Sequence, residues 1–359
     1  MRIIQVLPTL AFGDAVGNDT VALYEALKKK NIQTQIYAQY WSPKYDKADF
    51  LTPLKKLPKL SSKDIMILHI STGFEFVKRL DKYPCKKIMI YHNITPPEFF
   101  RPYDKRSFQS TKEGLETVRF LSDKVDYCLA DSELNKQDLQ KMGFRCPVGV
   151  LPILIPFDDY KKEPDETVVK KYNDGKTNIV FTGRIAPNKK QEDVIQAFYY
   201  YKKLDPEARL FLVGSYSEED YYYRRLKEYV RVLDLEDVYF TGHIPFSAIL
   251  AYYHIADVFL CMSEHEGFCV PLVEAMWFDV PMIAYQSTAI PFTLGGSGLM
   301  VSEKNFPMIA ELIYQVVTKP ELRQKLIDGQ RKRLEDFQHP VIEQQFFDYL
   351  ESFTGEKIG

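Results

Sequence analysis

The chain has 359 residues, of which 45% are hydrophobic and 27% charged, as in an ordinary globular protein. A chain of this length exceeds the size at which a single hydrophobic core usually keeps growing, so we expect two domains. The formal net charge of −2 argues against nucleic acid as a partner.

The first half of the chain alternates short apolar runs with helical segments. The runs that we predict as strands are Ile3–Leu7, Ile65–Leu68, Lys87–Tyr91 and Tyr127–Ala130. Predicted helices between them include Asp19–Lys30 and Thr111–Leu121. Buried strands separated by helices indicate a parallel sheet that is covered on both faces.

The alternation restarts after a stretch rich in Pro, Asp and Lys, and we place the domain linker there, within 156–172. The second set of predicted strands is Asn178–Phe181, Arg209–Val213, Val238–Phe240, Val258–Leu260 and Met282–Tyr285. An amphipathic run, Glu321–Phe337, and a last helix, Val341–Phe353, follow. We expect an α/β protein with Rossmann-like domains at 1–158 and 159–339, and with residues 340–359 returning to the first. Two such domains facing each other would surround one cleft with the carboxyl ends of both sheets.

The strongest chemical signal follows the predicted strand Val258–Leu260. Gly267 allows a tight loop there, and Val270–Trp277 is typical of the first turns of a helix. The backbone N–H groups at that helix N-terminus suit a diphosphate. Glu274 lies one helical turn further on, where a carboxylate can accept from two ribose hydroxyls, and Glu266 precedes the turn. The alternative is that Glu266 caps the helix and that Glu274 is a solvated helix residue.

A second signal follows the strand Asn178–Phe181. Gly183 ends this strand, and Arg184 and Lys189 lie five positions apart across a short loop. Two cations in such a loop can bind a pyrophosphate. They can also stabilise the negative charge that develops on it as it leaves. The alternative is a pair of solvated loop cations. Because both signals belong to one predicted domain, we favour a single donor site.

The Arg-x4-Lys loop and the Glu-x7-Glu segment together resemble the retaining nucleotide-sugar transferases of glycosyltransferase family four. The resemblance extends over nearly the whole chain and implies the GT-B fold, with two Rossmann-like domains facing across a cleft. The segments that support it are Phe12–Asp19, Tyr91–Pro96, Leu212–Gly214 and Val238–Ile244.

The resemblance also implies roles for individual residues. Arg184 and Lys189 would bind the donor phosphates, Glu274 the ribose and Glu266 the transferred sugar, while His92 would reach the donor sugar. Further donor-site residues would be Gly183, Gly214, His243, Ile244, Gly267, Phe268, Cys269 and Val270. The first-domain loop near the acceptor would contain Gly13, Asp14, Gly17 and Asn18. The family often has glycine where this chain has Cys269.

The sequence contains no Asp-x-Asp, the usual metal clamp for a nucleotide-diphosphate sugar. We therefore expect neither a metal nor a cofactor, and the resemblance implies retention of configuration. GDP-mannose, UDP-sugars and dTDP-rhamnose all fit as donors of a hexose or deoxyhexose. The implied acceptor is a glycan or a lipid-linked glycan in bacterial surface polysaccharide synthesis. The alternatives are a nucleotide-sugar epimerase and a non-catalytic nucleotide-sugar-binding subunit.

The expected location is the cytoplasm. The five cysteines are odd in number, scattered and without a CxxC pair, which argues against a disulfide framework and a structural zinc site. The N-terminal apolar run is too short for a signal peptide, and no stretch of about 18 apolar residues exists to span a bilayer. The Lys-rich stretch Lys44–Lys63 is a solvated face or, alternatively, a contact with the anionic inner membrane surface.

Overall fold

A computed structural model describes residues 1–357 and divides the chain into two compact units. The first unit contains Met1–Glu98, Arg106–Pro156 and the residues from Asp336 onward. The second unit contains Phe99–Lys105 and Phe157–Glu335.

The first unit is built on a seven-stranded parallel sheet in the order β3-β2-β1-β4-β5-β6-β7. Its strands are β1 Arg2–Leu10, β2 Gln33–Trp41, β3 Leu51–Pro53, β4 Ile65–Ile70, β5 Lys86–Tyr91, β6 Tyr127–Ala130 and β7 Val148–Val150. The chain order reverses between β1 and β4, as in doubly wound sheets that bind ligands beyond the carboxyl ends of their strands.

Helices cover this sheet and supply much of its core. They are α1 Ala15–Lys29, α2 Lys105–Phe120, α3 Glu133–Lys141 and the last helix of the chain, α12 His339–Thr354. The apolar face of α12 buries Ile342, Phe346 and Leu350 in one cluster with Ile3 of β1 and Leu23 of α1. That face anchors the end of the chain to the first unit because its burial removes large apolar side chains from water.

The second unit holds a six-stranded parallel sheet in the order β10-β9-β8-β11-β12-β13. Its strands are β8 Asn178–Thr182, β9 Arg209–Val213, β10 Val238–Phe240, β11 Val258–Cys261, β12 Met282–Tyr285 and β13 Leu299–Val301. Its helices are α4 Glu166–Tyr172, α5 Gln191–Tyr201, α6 Tyr221–Val232, α7 Phe246–His254, α8 Val270–Trp277, α9 Ile290–Leu294, α10 Phe306–Thr318 and α11 Pro320–Leu334. No helix within residues 1–357 is both long and apolar enough to cross a membrane.

The predicted α/β class with two parallel sheets is confirmed, and every predicted strand exists. Two helix starts were wrong: the structure begins α2 at Lys105 rather than at Thr111, and α1 at Ala15 rather than at Asp19. Asp14 is the N-cap, and its carboxylate accepts a hydrogen bond from the Gly17 amide at 2.6 Å. Asp is a favoured N-cap residue, so the helix starts as soon as this cap is available.

Candidate active site

The two loops that carry the sequence signals meet where the order of the second sheet reverses. Strands β8 and β11 are neighbours, although α5, β9, α6, β10 and α7 separate them along the chain. The loop after β8 contains Arg184 and Lys189, and the loop after β11 contains Glu266. Ligands of doubly wound sheets bind at this kind of reversal, outside the carboxyl ends of the strands.

Two glycines let neighbouring strand ends approach each other closely. Gly214, directly after β9, has φ 156°, and a Cβ built on it would lie 2.1 Å from the Gly183 carbonyl oxygen. A side chain at position 214 would therefore push the loop after β8 out of place. This close approach fixes where the backbone of Gly183 turns away from the sheet.

Asn188 ties the two loops together. Its backbone carbonyl accepts from the Glu264 amide at 2.9 Å, and its side-chain amide donates to the His265 carbonyl at 3.0 Å. Asn188 is itself buried, so these bonds form away from bulk water. The ring of His265 is half-buried, and burial lowers its pKa to about 4. Because Glu266 directly follows His265, the hydrogen bonds of Asn188 also hold Glu266 at a fixed place relative to Lys189.

Lys189 and Glu266 form an ion pair at this site. The Lys189 Nζ lies 2.6 Å from each carboxylate oxygen of Glu266, and the exposed fractions of the two side chains are 20% and 7%. Burial alone would lower the pKa of Lys189, but the attraction of Glu266 outweighs it and raises the pKa above its usual value. Lys189 is therefore a cation at neutral pH, although it is largely out of water.

Helix α8 begins directly after this pair, as the sequence predicts. Its N-cap, Cys269, has φ 74° and ψ 66°, the left-handed region that favours glycine. The left-handed position of this loop is therefore Cys269, two residues after Gly267. Phe268 and Cys269 are buried, and Val270 is half-buried at the first helical position.

Glu274 lies one turn into α8, and two tyrosine hydroxyls hold its carboxylate. Tyr160 donates to Oε1 at 2.9 Å and Tyr253 donates to Oε2 at 2.7 Å. The Tyr253 oxygen also lies 2.5 Å from the hydroxyl of Thr182, at the end of β8. Burial raises the pKa of Glu274, and the two tyrosine hydrogen bonds oppose that rise. Glu274 is thus a positioned carboxylate rather than a solvated helix residue.

The other donor-side residues lie at the same edge of the second sheet. Arg184 has an exposed side chain immediately after Gly183. His243 and Ile244 follow the edge strand β10, His243 exposed and Ile244 half-buried. The place of Arg184, His243 and Ile244 in a donor site stays a prediction.

His92 belongs to the first unit, directly after β5. Its Nδ1 lies 3.1 Å from Asp131, its Nε2 lies 2.9 Å from Nδ1 of His69, and its side chain is 1% exposed. His69 in turn lies 2.8 Å from the side-chain oxygen of Gln5. Both ring nitrogens of His92 thus have protein partners, so the ring offers no free nitrogen to a sugar in this structure. Sequence reasoning missed His69 and Gln5, although each is a polar residue that interrupts an apolar run.

The predicted acceptor-side loop is only partly a loop. Gly13 precedes the helix with φ 80°, but Gly17 and Asn18 lie in the first turns of α1. A Cβ on Gly17 would lie 2.1 Å from the Ala11 carbonyl oxygen, so this glycine allows the helix to start against the end of β1. The prediction that Gly17 and Asn18 are loop residues was therefore wrong.

Within residues 1–357, two groups of side chains each bring three potential metal ligands close together. One contains Asp19, His69 and His92, and the other contains Cys261, Glu266 and Cys269. In the first group the facing histidine nitrogens already share a hydrogen bond, and in the second the carboxylate already faces a lysine. Neither donor set fits a metal ion without breaking these contacts.

The second unit, which carries this site, matches a known protein family. Residues 163–333 match the model of the family described as glycosyl transferases group 1. The second unit is a group 1 glycosyl transferase domain. The family predicted from the Arg-x4-Lys and Glu-x7-Glu signals is thereby confirmed.

Relatives of this domain carry names of glycosyltransferases and of sugar synthases. The capsular polysaccharide biosynthesis glycosyltransferase CapM of Staphylococcus aureus is 26% identical over 243 residues, 67% of this chain and 62% of CapM. The match therefore spans less than two thirds of that relative's length.

Solved structures resemble the whole chain. The sucrose-phosphate synthase of Thermosynechococcus elongatus has a TM-score of 0.76 at 17% identity, covering 99% of this chain and 100% of that chain. HepE of Anabaena in complex with UDP-glucose has a TM-score of 0.74 at 16% identity, covering 98% and 100%. Similarity at this level of identity concerns the fold, and it confirms the predicted GT-B class.

Proposed function

We propose that the protein is a retaining, metal-independent glycosyltransferase that uses a nucleotide-diphosphate sugar. The observation that carries this proposal is the Lys189–Glu266 pair at the strand-order reversal of a group 1 domain. A cation and a hydrogen-bond acceptor for hydroxyls are thereby held side by side, where the diphosphate and the sugar of one donor would adjoin. The UDP-glucose complex of the structural neighbour HepE supports a nucleotide-sugar donor.

In this proposal the donor lies along the carboxyl edge of the second sheet. Glu274 accepts from the ribose hydroxyls, because its two tyrosine partners leave other lone pairs of the carboxylate available. Lys189, the backbone at the start of α8 and Arg184 bind the diphosphate. Glu266 accepts from hydroxyls of the transferred hexose or deoxyhexose.

The reaction breaks the bond between the anomeric carbon and the diphosphate, and an acceptor hydroxyl oxygen bonds to that carbon on the same face. The acceptor proton passes to the departing diphosphate. Lys189 stabilises the charge that develops on this leaving group, a role that elsewhere falls to a metal ion. Retention of configuration rests on the family resemblance alone, and the proposed mechanism uses no carboxylate as a nucleophile.

We further propose a glycan or lipid-linked glycan as the acceptor, and the cytoplasm as the location. The name of the relative CapM supports a setting in surface polysaccharide synthesis. The five cysteines are free thiols, which fits a reducing compartment. The lysines within Lys44–Lys63 are exposed and suit an anionic membrane surface. Co-sedimentation with vesicles containing anionic lipid tests this contact, and a protein that stays in the supernatant contradicts it.

A nucleotide panel tests the donor site directly. We expect one of UDP, GDP, ADP or dTDP, at about 100 times its Kd, to stabilise the protein by about 2.7 kcal/mol and to raise the Tm by about 5 °C or more. The matching monophosphate should raise the Tm less, because it lacks the second phosphate for Lys189. No shift with any of the four diphosphates would contradict the proposed donor site.

A further inference from the structure

A continuous hydrogen-bonded chain runs beneath the carboxyl edge of the first sheet. It starts at Gln5 on β1, passes through His69 on β4 and His92 after β5, and ends at Asp131 after β6. All four residues are buried. Because a buried polar chain must pair each donor with an acceptor, its members constrain one another's protons.

A backbone carbonyl fixes the direction at the Gln5 end. The Gln5 amide nitrogen donates to the Thr20 carbonyl oxygen at 3.1 Å, and a carbonyl can only accept. The side-chain oxygen of Gln5 must therefore face His69 Nε2, at 2.8 Å, as an acceptor. It follows that Nε2 of His69 carries a proton.

His69 is neutral, because burial and the neighbouring charge of His92 lower its pKa well below the usual value. With its proton on Nε2, its Nδ1 is a bare acceptor. The rings of His69 and His92 are parallel to within 5°, with centroids 5.2 Å apart and the facing nitrogens 2.9 Å apart, so they meet edge to edge. His92 must therefore donate from Nε2.

At the other end of the chain, Asp131 accepts from Nδ1 of His92. Asp131 immediately precedes Ser132, the N-cap of α3, where the helix dipole favours a negative charge. Asp14, the N-cap of α1, and Asp19 on α1 add further negative charge near the same ring when they are ionised. Burial raises the pKa of Asp19 to about 7, so Asp19 carries its charge above that pH. Burial by itself lowers the pKa of His92, but these three carboxyl groups outweigh it, and the pKa is raised.

We propose that Gln5 and His69 are positioning residues that hold His92 as a doubly protonated imidazolium. The assignment comes from hydrogen-bond direction along the chain, from the Thr20 carbonyl to the carboxylate of Asp131. Its catalytic meaning rests on the proposed function. An imidazolium has no lone pair on either ring nitrogen, so His92 in this state is not a general base.

Histidine side-chain ¹H–¹⁵N NMR tests this protonation state without a donor or an acceptor. We expect both ring nitrogens of His92 to remain protonated at about pH 8, above the ordinary histidine pKa of about 6.5. The resonances are assigned by their loss in His92→Gln. A bare ring nitrogen on His92 in the wild-type protein at this pH would overturn the proposal, whatever reaction the protein catalyses.

Two variants test the role of Gln5 and His69, which we call the relay. Gln5→Leu removes the fixed acceptor, so His69 can move its proton to Nδ1, and we expect the pKa of His92 to fall by about 1 unit or more. His69→Phe keeps a ring but removes the acceptor, and should lower that pKa as well. Gln35→Leu on the adjacent strand β2 removes a comparable side-chain amide that is not part of the hydrogen-bonded chain. This control should leave the pKa of His92 unchanged. An unchanged pKa in both folded relay variants would contradict the proposal. If neither folds, the wild-type spectrum still decides.

Discussion

Replacing Lys189 by methionine removes the charge of the central ion pair and keeps a side chain of similar length. In the proposed mechanism Lys189 stabilises the departing diphosphate. Removing one preorganised electrostatic group of this kind costs about 10²–10³ in turnover, or about 2.7–4 kcal/mol. We therefore expect kcat to fall by about a hundredfold or more.

The same change also leaves the carboxylate of Glu266 without its cationic partner. Breaking a buried pair by removing one partner costs about 3–5 kcal/mol, but the Lys189 side chain is 20% exposed, which reduces the expected loss of stability to about 2 kcal/mol. A double variant, Lys189→Met with Glu266→Gln, separates the two effects. We expect the double variant to recover most of the free energy of unfolding, because no unpaired charge remains, while its turnover stays low.

The assay is steady-state release of the nucleotide diphosphate, combined with urea unfolding of each variant. Lys190→Met is the matched control, since Lys190 faces Glu192 at 3.6 Å and Glu264 at 3.4 Å rather than Glu266. Its turnover should stay within about threefold of wild type, because these surface-facing pairs contribute little. Recovery of turnover together with stability in the double variant would refute a catalytic role for Lys189.

Three further changes test other parts of the structure. Tyr253→Phe removes one donor to Glu274 and should raise KM for the donor about tenfold (about 1.5 kcal/mol) with little change in kcat, while Tyr252→Phe on the same helix should not. Cys269→Gly should be about 1 kcal/mol more stable to urea than Cys269→Ala, because only glycine relaxes the left-handed backbone; equal stability would contradict this. Asp64→Asn should lower the free energy of unfolding by about 1–2 kcal/mol at pH 7. Arg2, whose Nη2 lies 2.7 Å from the Asp64 carboxylate, holds the folded-state pKa of Asp64 well below its usual value, so that difference is present at neutral pH and should shrink steadily as the pH falls below about 4.

Apolar runs predicted most strands, including the edge strand β10, but not β2, β3, β7 or β13. Strand β2, with the sequence QTQIYAQYW, mixes polar and apolar residues without a continuous apolar run of strand length, and β3, β7 and β13 have only three residues each. Such strands are recognisable only once their neighbours are in place, because sheet pairing rather than local pattern stabilises them.

The donor-side loops were predictable because their chemistry is local to short segments. Lys189 and Glu266 belong to recognisable spacings, although their direct contact depends on Asn188 and on the pairing of β8 with β11. The relay of Gln5 and His69 was not predictable, since its members come from two strands and their partners from elsewhere. The available signal was a polar residue that interrupts an apolar run, as Gln5 and His69 do.

The most direct test of the proposed activity is turnover of nucleotide-diphosphate sugars by the purified protein in the presence of a chelator. We expect release of the nucleotide diphosphate from one class of donor, undiminished by the chelator and reduced about a hundredfold or more by Lys189→Met. No release from any UDP-, GDP-, ADP- or dTDP-sugar, with glycan and lipid-linked glycan acceptors supplied, would contradict the proposed activity. Release that is lost on chelation would contradict its metal independence.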